Sequence, residues 1–168
     1  MISVDDVLLG VGLLIACYTD LNRQKIPNAL TFSLIILGIA SHWVRGDFLL
    51  PLIGVAAAFA LHFVLWMLQV ERGGDAKLMM GVGAFYGWSG MLAASVWTLV
   101  LLFPVGLTVL AIKGRLGNFF ETLRFAWRKA LGYPVEPPAE KTMMPFAPVL
   151  ACAVLAARLL PWPASLWS

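Results

Sequence analysis

Apolar residues in this chain fall into long runs separated by short polar breaks, and the spacing of those breaks predicts a set of bilayer-length helices. The first run is Val7 to Tyr18, closed by Thr19-Asp20-Leu21-Asn22-Arg23-Gln24-Lys25. Ile26-Pro27-Asn28 opens a second run, Ala29 to Val44, with Pro27 placed where a helix start tolerates a missing N–H. Arg45-Gly46-Asp47 makes a turn into a third run, Phe48 to Val70, which ends at Glu71-Arg72-Gly73-Gly74-Asp75-Ala76-Lys77. The next apolar stretch, Leu78 to Ile112, would be roughly 50 Å long as one helix. A hydrocarbon core needs only about 20 residues. Gly87-Trp88-Ser89-Gly90 is the natural place to fold it back, giving a short fourth helix and a long fifth one that Pro104 is expected to kink.

Lys113 to Thr142 is the one long polar segment. Within it, Phe119, Phe120, Leu123, Trp127 and Ala130 recur at helical spacing, blurred by Phe125, so 117–131 reads as an amphipathic helix along a membrane surface. Tyr133 to Pro138 is a linker, and Phe146 to Leu160 is a sixth apolar run. The fold class expected is all-α: a polytopic membrane bundle of about six helices, one domain over 1–168 with a cytoplasmic loop at about 113–142.

Composition supports this pattern. With 61% apolar and 12% charged residues, the chain could not cover itself with a polar surface in water. The net charge of +3 reads as topological, and no basic patch with interleaved aromatics points to nucleic acid. The loops after the first, third and fifth runs hold Arg23, Lys25, Arg72, Lys77, Lys113, Arg115, Arg124, Arg128, Lys129 and Lys141. The opposite side holds Arg45 and Arg158. Cytoplasmic loops carry the Lys and Arg excess, so both termini are expected outside, in a bacterial inner membrane. The acidic start, Asp5-Asp6, argues that the first run is a retained helix and not a signal peptide.

Two carboxylates stand out. Asp20 ends the first helix and Asp75 enters the fourth, at the same face. Two carboxyl groups in a weakly polar site cannot both ionise easily, and a pair sharing one proton can act as acid and base on a water. The plain alternative is that each is a solvated cap. No His/Cys/carboxylate set has metal-ligand spacing, so neither metal nor cofactor is expected. Cys17 and Cys152 read as small buried side chains, His42 as an interfacial polar residue, and His62 as a satisfied helix–helix contact. Gly81 to Gly87 lies within an apolar run and suits close helix packing, not phosphate binding.

The words around these residues resemble a known family. Asp20 followed by a short basic stretch and Ile26-Pro27-Asn28 resembles the first catalytic segment of the type IV prepilin peptidases. Gly73-Gly74-Asp75-Ala76-Lys77-Leu78 resembles their GxGD segment, and Met144-Pro145-Phe146-Ala147-Pro148 their final-helix entry. The resemblance implies a GxGD-type membrane aspartic peptidase with Asp20 and Asp75 catalytic and a prepilin or pseudopilin substrate cut before its hydrophobic helix. Gly73, Gly74, Lys77, Pro27 and Asn28 would line the substrate. The short chain is more similar to the peptidase-only members that serve tight-adherence (Flp-type) pili, which makes pilus-assembly machinery a further partner beside the lipid bilayer. One position departs: Arg72 stands where the family's motif has its first glycine. A long Arg side chain there is expected to run out to the lipid headgroups. The alternatives are an inactive pilus-assembly scaffold of the same fold, and a small proton-coupled transporter.

Overall fold

The computed structural model describes residues 3–68, 70–112, 116–134 and 146–160. Among them the elements are α1 (Val4–Arg23), α2 (Asn28–Val44), α3 (Leu49–Met67), α4 (Gly73–Ile112), α5 (Leu116–Ala130) and α6 (Phe146–Leu159). The Pro-rich linker expected at 135–138, the segment 139–145 and the basic residues Lys113, Arg115 and Lys141 lie outside the described residues.

Helix α4 contains the fold-back. It is helical throughout except at Gly87, whose φ of 69° and ψ of −171° break it into two arms, 73–86 and 88–112. A positive φ at this bend is open to glycine at no steric cost. Contacts with α3 show which way each arm runs. Gly83 lies against Gly54, and Gly87 against Leu50, as in an antiparallel pair. Ser95 then meets His62, two turns or ~12 Å beyond Gly54 along α3 toward Met67. The second arm has therefore turned back along α3. Pro104 sits inside that arm without leaving helical backbone geometry.

The bend also explains His42. Its ring is buried, and Nε2 lies 3.0 Å from the carbonyl oxygen of Phe85. Phe85 is in the last turn before the break, where carbonyls lack intrahelical partners. His42 thus satisfies the end of the first arm from α2.

The described chain crosses the bundle six times, through α1, α2, α3, both arms of α4 and α6. The protein is an all-helical membrane bundle. Two helices, Leu49–Met67 and Gly73–Thr108, are long and apolar enough to cross a bilayer. Only 22% and 28% of their most apolar windows are buried inside the protein, so most of that surface faces outward. Exposed Leu14, Phe32, Ile36, Phe59, Leu99 and Leu155 lie on five of the crossings, as lipid-facing side chains would.

The core is built from Leu9, Leu13, Leu34, Leu78, Met79, Val82, Phe85, Met91, Phe146 and Leu150. Of the cysteines expected to be buried, Cys17 is half-buried against this core. Cys152 is exposed on α6, because it falls on the outward side of that helix. Helix α5 docks through the residue that spoiled its amphipathic pattern. Phe125 is buried, and Lys129 Nζ donates to the Met67 carbonyl at 2.7 Å, pinning α5 to the end of α3. Trp127 is exposed.

Candidate active site

The site forms where the last turn of α1 and the first turns of α2, α4 and α6 meet. Helix α1 runs one turn past Asp20, to Arg23, and stops at Gln24. Gln24 takes a left-handed φ of 51° and donates its N–H to the Asp20 carbonyl. Asp20 thus lies inside the last turn and not at the helix end, which carries its side chain into the bundle: it is 1% exposed. Helix α2 starts immediately after Pro27, whose φ of −64° is that of the ring-locked residue.

Asp20 is met by a helix start. Its Oδ2 accepts the Ala147 backbone N–H at 3.0 Å. Ala147 is in the first turn of α6, where N–H groups have no intrahelical acceptor and the helix dipole favours an anion. The described part of the family-like final-helix entry, from Phe146 on, delivers this amide. Among the described residues, Asp20 Oδ1 is buried with no hydrogen-bond partner.

Asp75 enters α4 in its first turn and is 5% exposed. Its Oδ2 accepts the Arg72 backbone N–H at 3.4 Å, so the capping role open to it in the sequence is one it performs. It is nevertheless buried, not solvated. Arg72 joins the two carboxylates, because its guanidinium Nη1 lies 3.8 Å from Asp20 Oδ1. The same Nη1 donates to the Gln24 carbonyl at 3.0 Å. The expectation that this side chain runs out to the headgroups is therefore wrong. The left-handed Gln24 turns a carbonyl toward it, and the buried Asp20 carboxyl lies beside that carbonyl.

The other candidates divide into two groups. Lys77 Nζ donates to Asn28 Oδ1 at 2.9 Å and sits 5.6 Å above the Phe32 ring, so Lys77 and Asn28 meet at the rim. Pro27 caps α2 beside them. Gly73 and Gly74 are not demanded by packing. A Cβ on Gly73 would find Trp66 at 3.6 Å, and one on Gly74 would find Ile26 at 3.4 Å, both ordinary contacts. Neither glycine has a positive φ. Their lack of side chains leaves backbone open beside Asp75.

The sequence matches the model of the type IV leader peptidase family over residues 7–112. The chain belongs to this family. Among curated relatives, the prepilin peptidase EppA of Methanothermobacter thermautotrophicus is 38% identical over 74 residues, 40% of this chain and 19% of that protein. The preflagellin peptidase of Methanocaldococcus jannaschii is 32% identical over 88 residues, 48% of this chain and 37% of that protein. The chain thus spans well under half the length of both relatives. No solved structure matches it. The stretch matched to the leader peptidase family contains Asp20, Arg72 and Asp75, and stops short of α6 and its Ala147 amide.

Proposed function

We propose that this member of the leader peptidase family is an aspartic endopeptidase that removes the leader of type IV pilin-like precursors at the cytoplasmic face of a bacterial inner membrane. The single observation that carries the reading is the burial of two carboxylates from distant parts of the chain around one residue, Arg72. Burying an unpaired carboxylate is costly, and such groups in membrane helices mark function by default.

Asp20 and Asp75 would hold one proton between them. The ionised carboxylate takes a proton from water, whose oxygen attacks the scissile carbonyl carbon. The protonated carboxyl gives its proton to the carbonyl oxygen, and the tetrahedral intermediate then collapses with proton transfer to the leaving amine. Asp20 Oδ2 is occupied by the Ala147 amide, which leaves Oδ1 to the water. The backbone at Gly73 and Gly74 would lie along an extended substrate, with Pro27, Asn28 and Lys77 at its edge. The Lys and Arg distribution supports a cytoplasmic position for this end of the bundle and for the 113–142 loop. Flp-type pilins and their assembly machinery are the proposed substrate class and partners.

The test is cleavage of a prepilin by the purified protein in detergent. Wild type cuts, and Asp20→Asn and Asp75→Asn each abolish cutting while the protein still inserts and accumulates. Normal processing by either variant would sink the assignment. The ion pair between Arg72 and Asp20 favours one rival, a pilus-assembly scaffold that keeps the fold without activity. Unlike the peptidase, it requires an inert wild type.

A further inference from the structure

His62 is titratable, 3% exposed, and outside the site described above. Both ring nitrogens are engaged: Nδ1 lies 2.7 Å from Glu71 Oε2, and Nε2 lies 3.2 Å from Ser95 Oγ. The three residues come from α3, the α3–α4 turn and the returning arm of α4. Acid, imidazole and serine in this order resemble a hydrolase triad, but the chemistry does not follow. The Ser95 hydroxyl donates to the Met91 carbonyl at 2.9 Å, a bond within its own helix. Mid-helix backbone amides are spent on the helix, so none is free to stabilise an oxyanion.

Hydrogen-bond accounting gives the network another role. With its hydroxyl proton on Met91, Ser95 Oγ must accept from His62 Nε2–H. Nδ1 and Glu71 Oε2 then hold one proton between them, a charge-assisted bond in a buried place. Glu71 is next to Arg72, whose side chain ties the turn they form to the end of α1 through the Gln24 carbonyl. Val70 and Glu71 donate to the Leu65 carbonyl at 2.9 and 3.4 Å. Arg72 then accepts from Asp75 N–H and Ala76 N–H and donates to Asp75 Oδ2. The backbone N–H and the side chain of Asp75 thus both bond to Arg72, the residue adjacent to Glu71.

We propose that His62 is a positioning residue for the Asp75-bearing turn, tying Glu71 to α3 and to the returning arm of α4. This rests on the peptidase reading, because it gives the turn its catalytic meaning. Displacing a catalytic group by about 1 Å can cost on the order of a hundredfold in rate. His62→Leu and Glu71→Gln therefore lower kcat by about tenfold to a hundredfold with little change in KM. His62→Gln, which keeps a donor toward Ser95, loses less. The double variant His62→Leu/Glu71→Leu is no worse than His62→Leu alone, as for residues acting as one unit.

The experiment measures kcat and KM for these full-length proteins in detergent, with melting temperature and amide hydrogen exchange at 70–76 beside them. Exchange reads the turn without any cleavage, and it should rise in His62→Leu while exchange in α1 and α2 stays as in wild type. Unchanged exchange at 70–76 would overturn the proposal, as would a loss of kcat that only tracks a general fall in melting temperature. If Asp20→Asn is inert while the His62 variants keep full kcat, the positioning role alone fails. If Asp20→Asn cleaves normally, the peptidase reading itself fails.

Discussion

Gly54 on α3 and Gly83 on α4 lie back to back, so that a Cβ built on either would overlap the backbone carbonyl of the other. The clash is with main chain, which cannot swing aside like the end of a side chain. In a membrane, where lipid is as apolar as leucine, such close approach is a main source of helix association. Gly83→Val and Gly54→Val should each lower the detergent melting temperature, with an overpacking cost of about 1–3 kcal/mol. Gly10 is the control, because a Cβ there meets nothing within 4 Å. Gly10→Ala should be neutral or slightly stabilising. A Gly83→Val protein as stable as wild type would mean that α3 and α4 are not in backbone contact.

The reversal at Gly87 sets which side of the membrane α5 occupies. If α4 crossed as one straight helix, Gly117 would emerge on the same side as Gly46. With the fold-back, they lie on opposite sides. Single cysteines at these exposed positions, Gly46→Cys and Gly117→Cys, separate the cases once Cys17 and Cys152 are replaced by serine. An impermeant thiol reagent added to intact cells should label the first, and the second only after permeabilisation. Labelling of both in intact cells would overturn the six-crossing topology and with it the cytoplasmic placement of Asp20 and Asp75.

The crossings were legible in the sequence because each is an uninterrupted apolar run, and the reversal because no single helix of that length suits a bilayer. The gathering of Asp20 and Asp75 around Arg72 was foreshadowed only by their shared side and by family-like words. What stayed hidden depends on pairing between distant segments. The acidic start of α1 read only as evidence against a signal peptide. In the structure Asp5 pairs with Arg45 at the end of α2, and Asp6 takes bonds from Arg158 of α6 at 2.7 Å and from the Tyr86 hydroxyl at 2.7 Å. These contacts join three helices to α1 at the end opposite the site. Nothing in local spacing announces them, since the partners are 40 to 152 residues apart. Likewise, the Ala147 amide reaches Asp20 from 127 residues away and carries no side-chain signal at all.

Lys77 and Asn28 meet at the rim, and neither is placed to take part in proton transfer. Lys77→Met and Asn28→Ala should therefore raise KM for a prepilin by about fivefold to tenfold, as for the loss of a hydrogen bond worth ~1 kcal/mol, and change kcat much less. Because the two side chains bind each other, the double variant should fall short of the product of the singles. Unchanged KM in both single variants would remove them from the substrate path.

Arg72 decides between the enzyme and its inactive relative. In the resting structure its guanidinium stands 3.8 Å from the one unpartnered oxygen of Asp20, held there by the Gln24 carbonyl. Other charges near the pair are already engaged: Glu71 with His62, and Lys77 with Asn28. Arg72 is itself partly exposed, its side chain 34% accessible, so water screens the pairing and its loss is not costly. An extended substrate entering beside Gly73 and Gly74 can therefore displace it, and the wild-type chain should cleave. A cation beside two carboxylates favours their ionised forms, which at high pH deprives the pair of its shared proton. Without that cation the proton is kept to higher pH. Arg72→Gly should thus cleave at least as well as wild type near neutral pH, with its alkaline loss of activity displaced upward, and Arg72→Lys should lie between. The measurement is the pH dependence of kcat/KM for the three proteins. Superimposable profiles would show that the guanidinium does not reach the carboxylates during turnover. An inert wild type beside an active Arg72→Gly would show that this chain keeps the peptidase fold with its general acid disabled.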